Sequence, residues 1–178
     1  MSSSCGSNTR SPWLLVQGKY CGSHFFICSA DTRGSIRDQG DLALNYDFKD
    51  VGSLSYSYAN SSVRVQTEGS GGNVPPWRMD DPGRAIMADR TPLTKATSST
   101  VDIVTLNLAA GLGANSPNHK SEGQNVMYID AHVKWCNNPR VGVKDDNIWT
   151  RNNLTSPDGI LRSYYDWPLD SNDSMLVP

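Results

Sequence analysis

Gln124-Asn125-Val126-Met127-Tyr128-Ile129-Asp130-Ala131-His132-Val133-Lys134-Trp135 is the stretch on which the fold reading turns. Gln124–Ile129 and His132–Trp135 both carry strand composition, rich in β-branched, aromatic and long apolar residues. Between them stand only Asp130 and Ala131, a short polar break of the kind that closes a hairpin. Two strands joined so tightly must run antiparallel. The reading therefore predicts an antiparallel sheet built around this hairpin.

Other segments supply further strands. Leu54-Ser55-Tyr56-Ser57-Tyr58 alternates with period two, as does Val63-Arg64-Val65-Gln66-Thr67. Ala59–Ser62 would join them as a second hairpin. Arg84–Ala88 is a short apolar strand ending at Asp89, Val101–Leu108 has strand composition, and Phe25–Cys28 reads as a buried strand. Helix signals are few. Ser11 can cap a helix, Pro12 fits its first turn and Gly18 can end it. A second short helix is expected near Asp158–Tyr165. The fold class is α+β: an antiparallel sheet with long loops and one or two short helices.

Composition agrees. Asp outnumbers Glu sixteen to two. Asp favours turns and caps whereas Glu favours helix interiors, so a helical bundle or coiled coil is excluded. The hydrophobic share of 37% lies below the roughly 45–50% of ordinary domains, and the remainder is loop-forming. At 178 residues the length fits one domain. The expected organisation is a disordered tail over 1–10, a globular head over 11–150, and a C-terminal extension over 151–178 packed on the head or trailing from it.

The net charge of −2 comes without adjacent Lys or Arg residues, which gives no electrostatic footprint for nucleic acid. No stretch reaches the roughly 18 apolar residues of a membrane span. Met1–Arg10 is polar and lacks the apolar core of a signal peptide. Yet a composition rich in Ser, Asn, Thr and Tyr and poor in Lys and Glu is that of an exported protein.

Four cysteines, Cys5, Cys21, Cys28 and Cys136, permit two disulfides in three connectivities. Cys21 and Cys28 flank a short apolar run, so a local bridge between them competes with buried free thiols. No Cys-x-x-Cys pair supports a zinc ribbon.

His119, Asp130, His132 and Asp89 are the candidate metal ligands. Imidazole and carboxylate suit a divalent cation such as calcium or zinc, or a His–Asp hydrogen-bonded pair. Against this, Asp130 can simply accept backbone N–H groups in its turn. Asp145-Asp146-Asn147 and the acids of 166–173 offer oxygens to calcium but lack the EF-hand spacing. Tyr56, Tyr58, Trp77 and Trp135 could line a carbohydrate-binding groove or pack on the sheet.

The segment from Asn115 to Trp135 also resembles a known family, the prepilin-type processing-associated domain named for a His, nine variable residues and Asp-Gly. Its theme is a Ser-Pro-Asn-His loop, then Gly-Gln-Asn-Val, two apolar residues, Asp-Gly-His-Val and an aromatic. Asn118, His119, Gly123, Asn125, Asp130 and His132 carry the match. Here ten residues separate His119 from Asp130, and Ala131 stands in the Gly position, which argues against a turn needing positive φ there. Trp13–Val16, Phe26–Ser29, Leu54–Tyr58, Ile86–Arg90 and Gly142–Thr150 match in order.

The resemblance implies a pilin/pseudopilin head-like structure of the type II secretion kind. It further implies a leader and an apolar helix outside these residues, and a head at the periplasmic or extracellular face of a bacterial cell. Its partners would be other pilin-like subunits or secretion components, and the membrane would be reached only through that helix. Some pseudopilin heads carry calcium in a loop. Three functions are therefore in play: a non-enzymatic structural or assembly head, a metal-dependent hydrolase or lyase built on His119, Asp130 and His132, and a carbohydrate-binding module.

Overall fold

The computed structural model describes residues 9–32, 45–48, 51–59, 65–66, 73–74, 81–92, 94–95, 105–106, 114–150 and 173–177. The fold is α+β, with one α-helix among the described residues, short 3-10 turns and an antiparallel sheet. Helix α1 spans Arg10–Gln17. The strands are β1 (Tyr56–Ala59), β2 (Val65–Gln66), β3 (Asn73–Val74), β4 (Ala85–Asp89), β5 (Thr94–Lys95), β6 (Thr105–Leu106), β7 (Gln124–Tyr128), β8 (Val133–Cys136) and β9 (Leu176–Val177). The main sheet has the order β8-β7-β4-β1-β9; β2 pairs with β3, and β5 with β6. Among the described residues no helix is long and apolar enough to cross a membrane.

The expected β7–β8 hairpin forms, but with Asn125 opposite Trp135 and Met127 opposite Val133, a register one residue away from the one a two-residue turn at Asp130-Ala131 would set. Its turn departs from expectation. Tyr128 N–H donates to His132 O and Ala131 N–H donates to Tyr128 O, so the loop is Ile129-Asp130-Ala131. A three-residue loop of this kind requires a left-handed residue at its end. Ala131 supplies it, with φ 69°, although the Cβ of Ala opposes that conformation. Closure of the two flanking strands therefore prevails over local preference.

Two other expectations are corrected. Val65–Gln66 pairs with Asn73–Val74 rather than with β1, while β1 lies between β4 and β9. Ser23–Phe26 is a 3-10 turn, not a strand, and Phe25 is 64% exposed. Phe26 alone of that aromatic pair turns inward, edge-on to Phe48. The Val101–Leu108 strand is present at Thr105–Leu106, and Asp158–Tyr165 lies outside the described residues. The end of the C-terminal extension supplies β9, with Met175 and Leu176 buried.

Helix α1 begins one residue before Ser11. Thr9 occupies the cap position, but its hydroxyl donates to Asp47 Oδ1 at 2.7 Å. Pro12 sits in the first turn, as expected. At the other end Lys19 N–H reaches Val16 O and Tyr20 N–H reaches Leu15 O, the paired bonds of a Schellman cap. The left-handed residue of that cap is Lys19 (φ 60°), not Gly18.

Cross-strand partners share a face of the sheet. One face carries Ala88 and Val126 and, with Ala85, Tyr128, Ile148, Trp149 and Leu176, forms one core cluster. The opposite face carries Tyr58, against which Trp13 and Val16 of α1 pack with Phe48 and Leu54. Tyr56 pairs with Asp89 and Asn125 with Trp135. Continuing the β4–β7 register by one residue sets Asn125 opposite Asp89. A row of four side chains thus crosses four strands on the α1 face, with a buried aspartate in its centre.

Candidate functional site

Asp89 ends the central strand β4 and is 1% exposed. A buried carboxylate must be hydrogen-bonded, and the adjoining strand β7 and the loop before it meet that demand. Asn125 donates its backbone N–H to Asp89 Oδ2 at 2.7 Å and its side-chain amide to the same oxygen at 3.3 Å. Asn118 Nδ2 donates to Asp89 Oδ1 at 3.3 Å and to Ser55 O at 3.0 Å. Asn118 is fully buried, and its Oδ1 has no hydrogen-bond partner among the described residues.

His119 follows Asn118 in a short 3-10 turn entering β7. Its Nε2 lies 3.3 Å from Asp89 Oδ2 and 3.5 Å from Cys28 Sγ. Asn125 Nδ2 is 3.5 Å from the same nitrogen. The backbone that aims this ring is strained: His119, Lys120 and Ser121 all have φ between 50° and 63°. Each such non-glycine residue costs about 1–2 kcal/mol, and the surrounding hydrogen bonds hold them there. Ser116 N–H donates to Gln124 Oε1, Asn118 N–H to Ser116 Oγ, and Gln124 Nε2 to Asn138 O. Trp135 stands edge-on to the His119 ring at 5.2 Å between centroids. Gly123 makes room for that indole: a Cβ there would lie 2.6 Å from Trp135 Cζ2 and from Cys136 O.

Cys28 arrives from the N-terminal segment, where Ser55 N–H donates to Phe26 O and holds the chain beside β1. Cys21 and Cys28 are both free thiols, the alternative to a local bridge between them. Cys21 packs on the Trp13–Phe48 cluster, while Cys28 Sγ faces His119. Burial pushes the Cys28 thiol above its ordinary pKa; the carboxylates of Asp89 and Asp31 push the same way, against backbone hydrogen bonds at Ala30 and Asp31. The Tyr56 phenol is raised by its own burial and then by the charges of Cys28 and Asp89.

Cysteine nucleophiles work as thiolates with lowered pKa. Cys28 is shifted the opposite way. Moreover, one nitrogen of His119 faces both Cys28 and Asp89, whereas a catalytic triad uses one ring nitrogen for the nucleophile and the other for the orienting carboxylate. The arrangement is not a nucleophile–base–orienter relay. It is a convergence of three ligand-type atoms, Cys28 Sγ, Asp89 and His119 Nε2, all within 4.8 Å of one another.

Asp130 and His132 do not join this cluster among the described residues. They sit at the hairpin turn, where His132 Nδ1 pairs with Asp130 Oδ1 at 2.5 Å and His132 N–H donates to the same oxygen. The His132 ring stacks on Tyr128, 4.4 Å between centroids. From Asn125 to Tyr128 the strand advances three residues, about 10 Å, so turn and cluster lie at different ends of the hairpin. Of the four predicted ligands, the structure brings together His119 and Asp89. The third member, Cys28, is not among the ligands that the sequence suggests.

In the acidic loop Asp146 Oδ2 accepts Ser174 N–H and Asn147 Oδ1 accepts Trp149 N–H; both residues are buried rather than solvated. Of the proposed carbohydrate-binding aromatics, Tyr58 packs on the α1 core cluster, Trp135 is engaged by His119, and Trp77 lies outside the described residues. Comparison with protein-family models, with curated proteins and with solved structures gives no match.

Proposed function

We propose that this chain is the exported globular head of a pseudopilin-like assembly protein, working by shape and contact rather than by turnover. The observation that carries the reading is the β7–β8 turn. The resembled motif has Asp-Gly where this chain has Asp130-Ala131, and glycine is the residue of choice for a left-handed turn. Ala131 adopts that conformation, with φ 69°. The motif loop and the hairpin also form one unit through Asn118, His119, Asn125 and Trp135.

The surface suits assembly. Strand β8 forms one edge of the main sheet, with Val133 62% and Trp135 46% exposed. An edge with no further strand among the described residues, beside exposed apolar side chains, is a template for contact with another chain. The partners on this reading are other pilin-like subunits or secretion components, at the periplasmic or extracellular face of a bacterial cell.

The upstream reading frame tests it. The expectation is a prepilin-type processing site followed by about 20 apolar residues and then this head. A frame that opens at Met1 behind a stop codon overturns the proposal.

A further inference from the structure

We propose that Cys28 Sγ, Asp89 Oδ2 and His119 Nε2 form a zinc site, with a fourth position for water or a fourth donor. The geometry is the first argument. Zinc bonds of about 2.0–2.2 Å to nitrogen and oxygen and about 2.3 Å to sulfur, at tetrahedral angles, put N and O about 3.4 Å apart and N and S about 3.6 Å apart. The corresponding separations here are 3.3 and 3.5 Å. Ordinary packing does not demand that one imidazole nitrogen face a thiol and a carboxylate together at those distances.

The surroundings are the second argument. Ligating carboxylates are fixed by outer hydrogen bonds, and Asp89 is held by Asn125 through backbone and side chain and by Asn118 on its other oxygen. The buried Asn118 Oδ1, without a hydrogen-bond partner among the described residues, is a further acceptor on a side chain that already touches Asp89. The left-handed run from His119 to Ser121 then fixes the ring.

The donor set selects the metal. Calcium takes six to eight oxygens, whereas thiolate with imidazole favours zinc. On binding, the Cys28 proton leaves to solvent and the sulfur bonds the metal as thiolate. The ion would tie the N-terminal segment, the central strand and the motif loop at one point. This site stands apart from the assembly reading, and either can fail without the other.

The test uses the full 178-residue chain, stripped with a chelator and titrated with zinc chloride. The expected result is one zinc per chain, with the thermal midpoint raised by about 5–10 °C at zinc 100-fold above Kd. Cobalt should give a thiolate charge-transfer band. Cys28→Ser should abolish that band, and Cys28→Ser and His119→Gln should each weaken binding about 100-fold or more, with circular dichroism confirming that the variants fold. His132→Gln should bind as the parent does. No stoichiometric zinc, undiminished binding in folded Cys28→Ser, or loss in His132→Gln would overturn the proposal. Should Cys28→Ser fail to fold, the cobalt band of the parent decides: its absence refutes Cys28 as a ligand.

Discussion

Replacing Ala131 by glycine should stabilise the protein, against the usual cost of adding glycine to a chain. Ala131 holds φ at 69°, and a residue with a Cβ pays about 1–2 kcal/mol for that region. Glycine relieves this cost but adds about 0.4–1 kcal/mol of unfolded-state entropy. The side chain of Ala131 is exposed, so removing its methyl forfeits no core packing. The net expectation is a gain of about 1 kcal/mol. In a domain of this size that raises the thermal midpoint by about 2–4 °C. Urea unfolding should show the midpoint moving up with an unchanged slope. A midpoint that stays or falls would refute the left-handed assignment, and with it the equivalence between Asp130-Ala131 and the Asp-Gly of the resembled motif.

Lys19→Gly should act in the same direction and by about 1 kcal/mol, because Lys19 is the left-handed residue of the α1 Schellman cap; a thermal melt checks it. Gly123→Ala should destabilise by about 1–3 kcal/mol, the cost of forcing a methyl group against the Cys136 carbonyl and the Trp135 ring, and Trp135 fluorescence should shift with it. The Asp130 carboxyl is held below its ordinary pKa, chiefly by the His132 backbone N–H and then by the His132 side chain. A depressed folded value means that its contribution is present above the unfolded value of about 3.8 and is lost as pH falls through the folded one. NMR titration should therefore place the Asp130 midpoint below that of an unfolded aspartate, and His132→Ala, which removes the imidazole but keeps the backbone N–H, should move it only part of the way back up.

The hairpin was legible because its signals are local. Gln124–Tyr128 and Val133–Cys136 announce themselves by composition, and two or three residues between them leave little choice of connection. Strand β4 was legible for the same reason. The false hairpin between β1 and β2 arose because alternation reports a strand but not its partner. β1 is claimed by β4 and β9, strands that lie distant in sequence. Phe25–Cys28 misled in a different way: an apolar run reads as strand or turn alike, and only the packing of Phe26 on Phe48 decides. At the site, the Ser-Pro-Asn-His loop pointed to Asn118 and His119. Cys28 was hidden because it lies 91 residues from His119, and no spacing rule spans such a distance. Its nearer neighbour Cys21 invited a disulfide instead.

The central claim is that this fold is an exported, anchored head. It is tested most directly by the mature N-terminus and cellular location of the native protein, read by mass spectrometry of fractionated source cells. The account predicts a processed chain that carries an apolar segment ahead of this domain, recovered with the cell envelope and open to protease from outside the inner membrane. A mature chain that begins at Met1 and fractionates with the cytosol would contradict it.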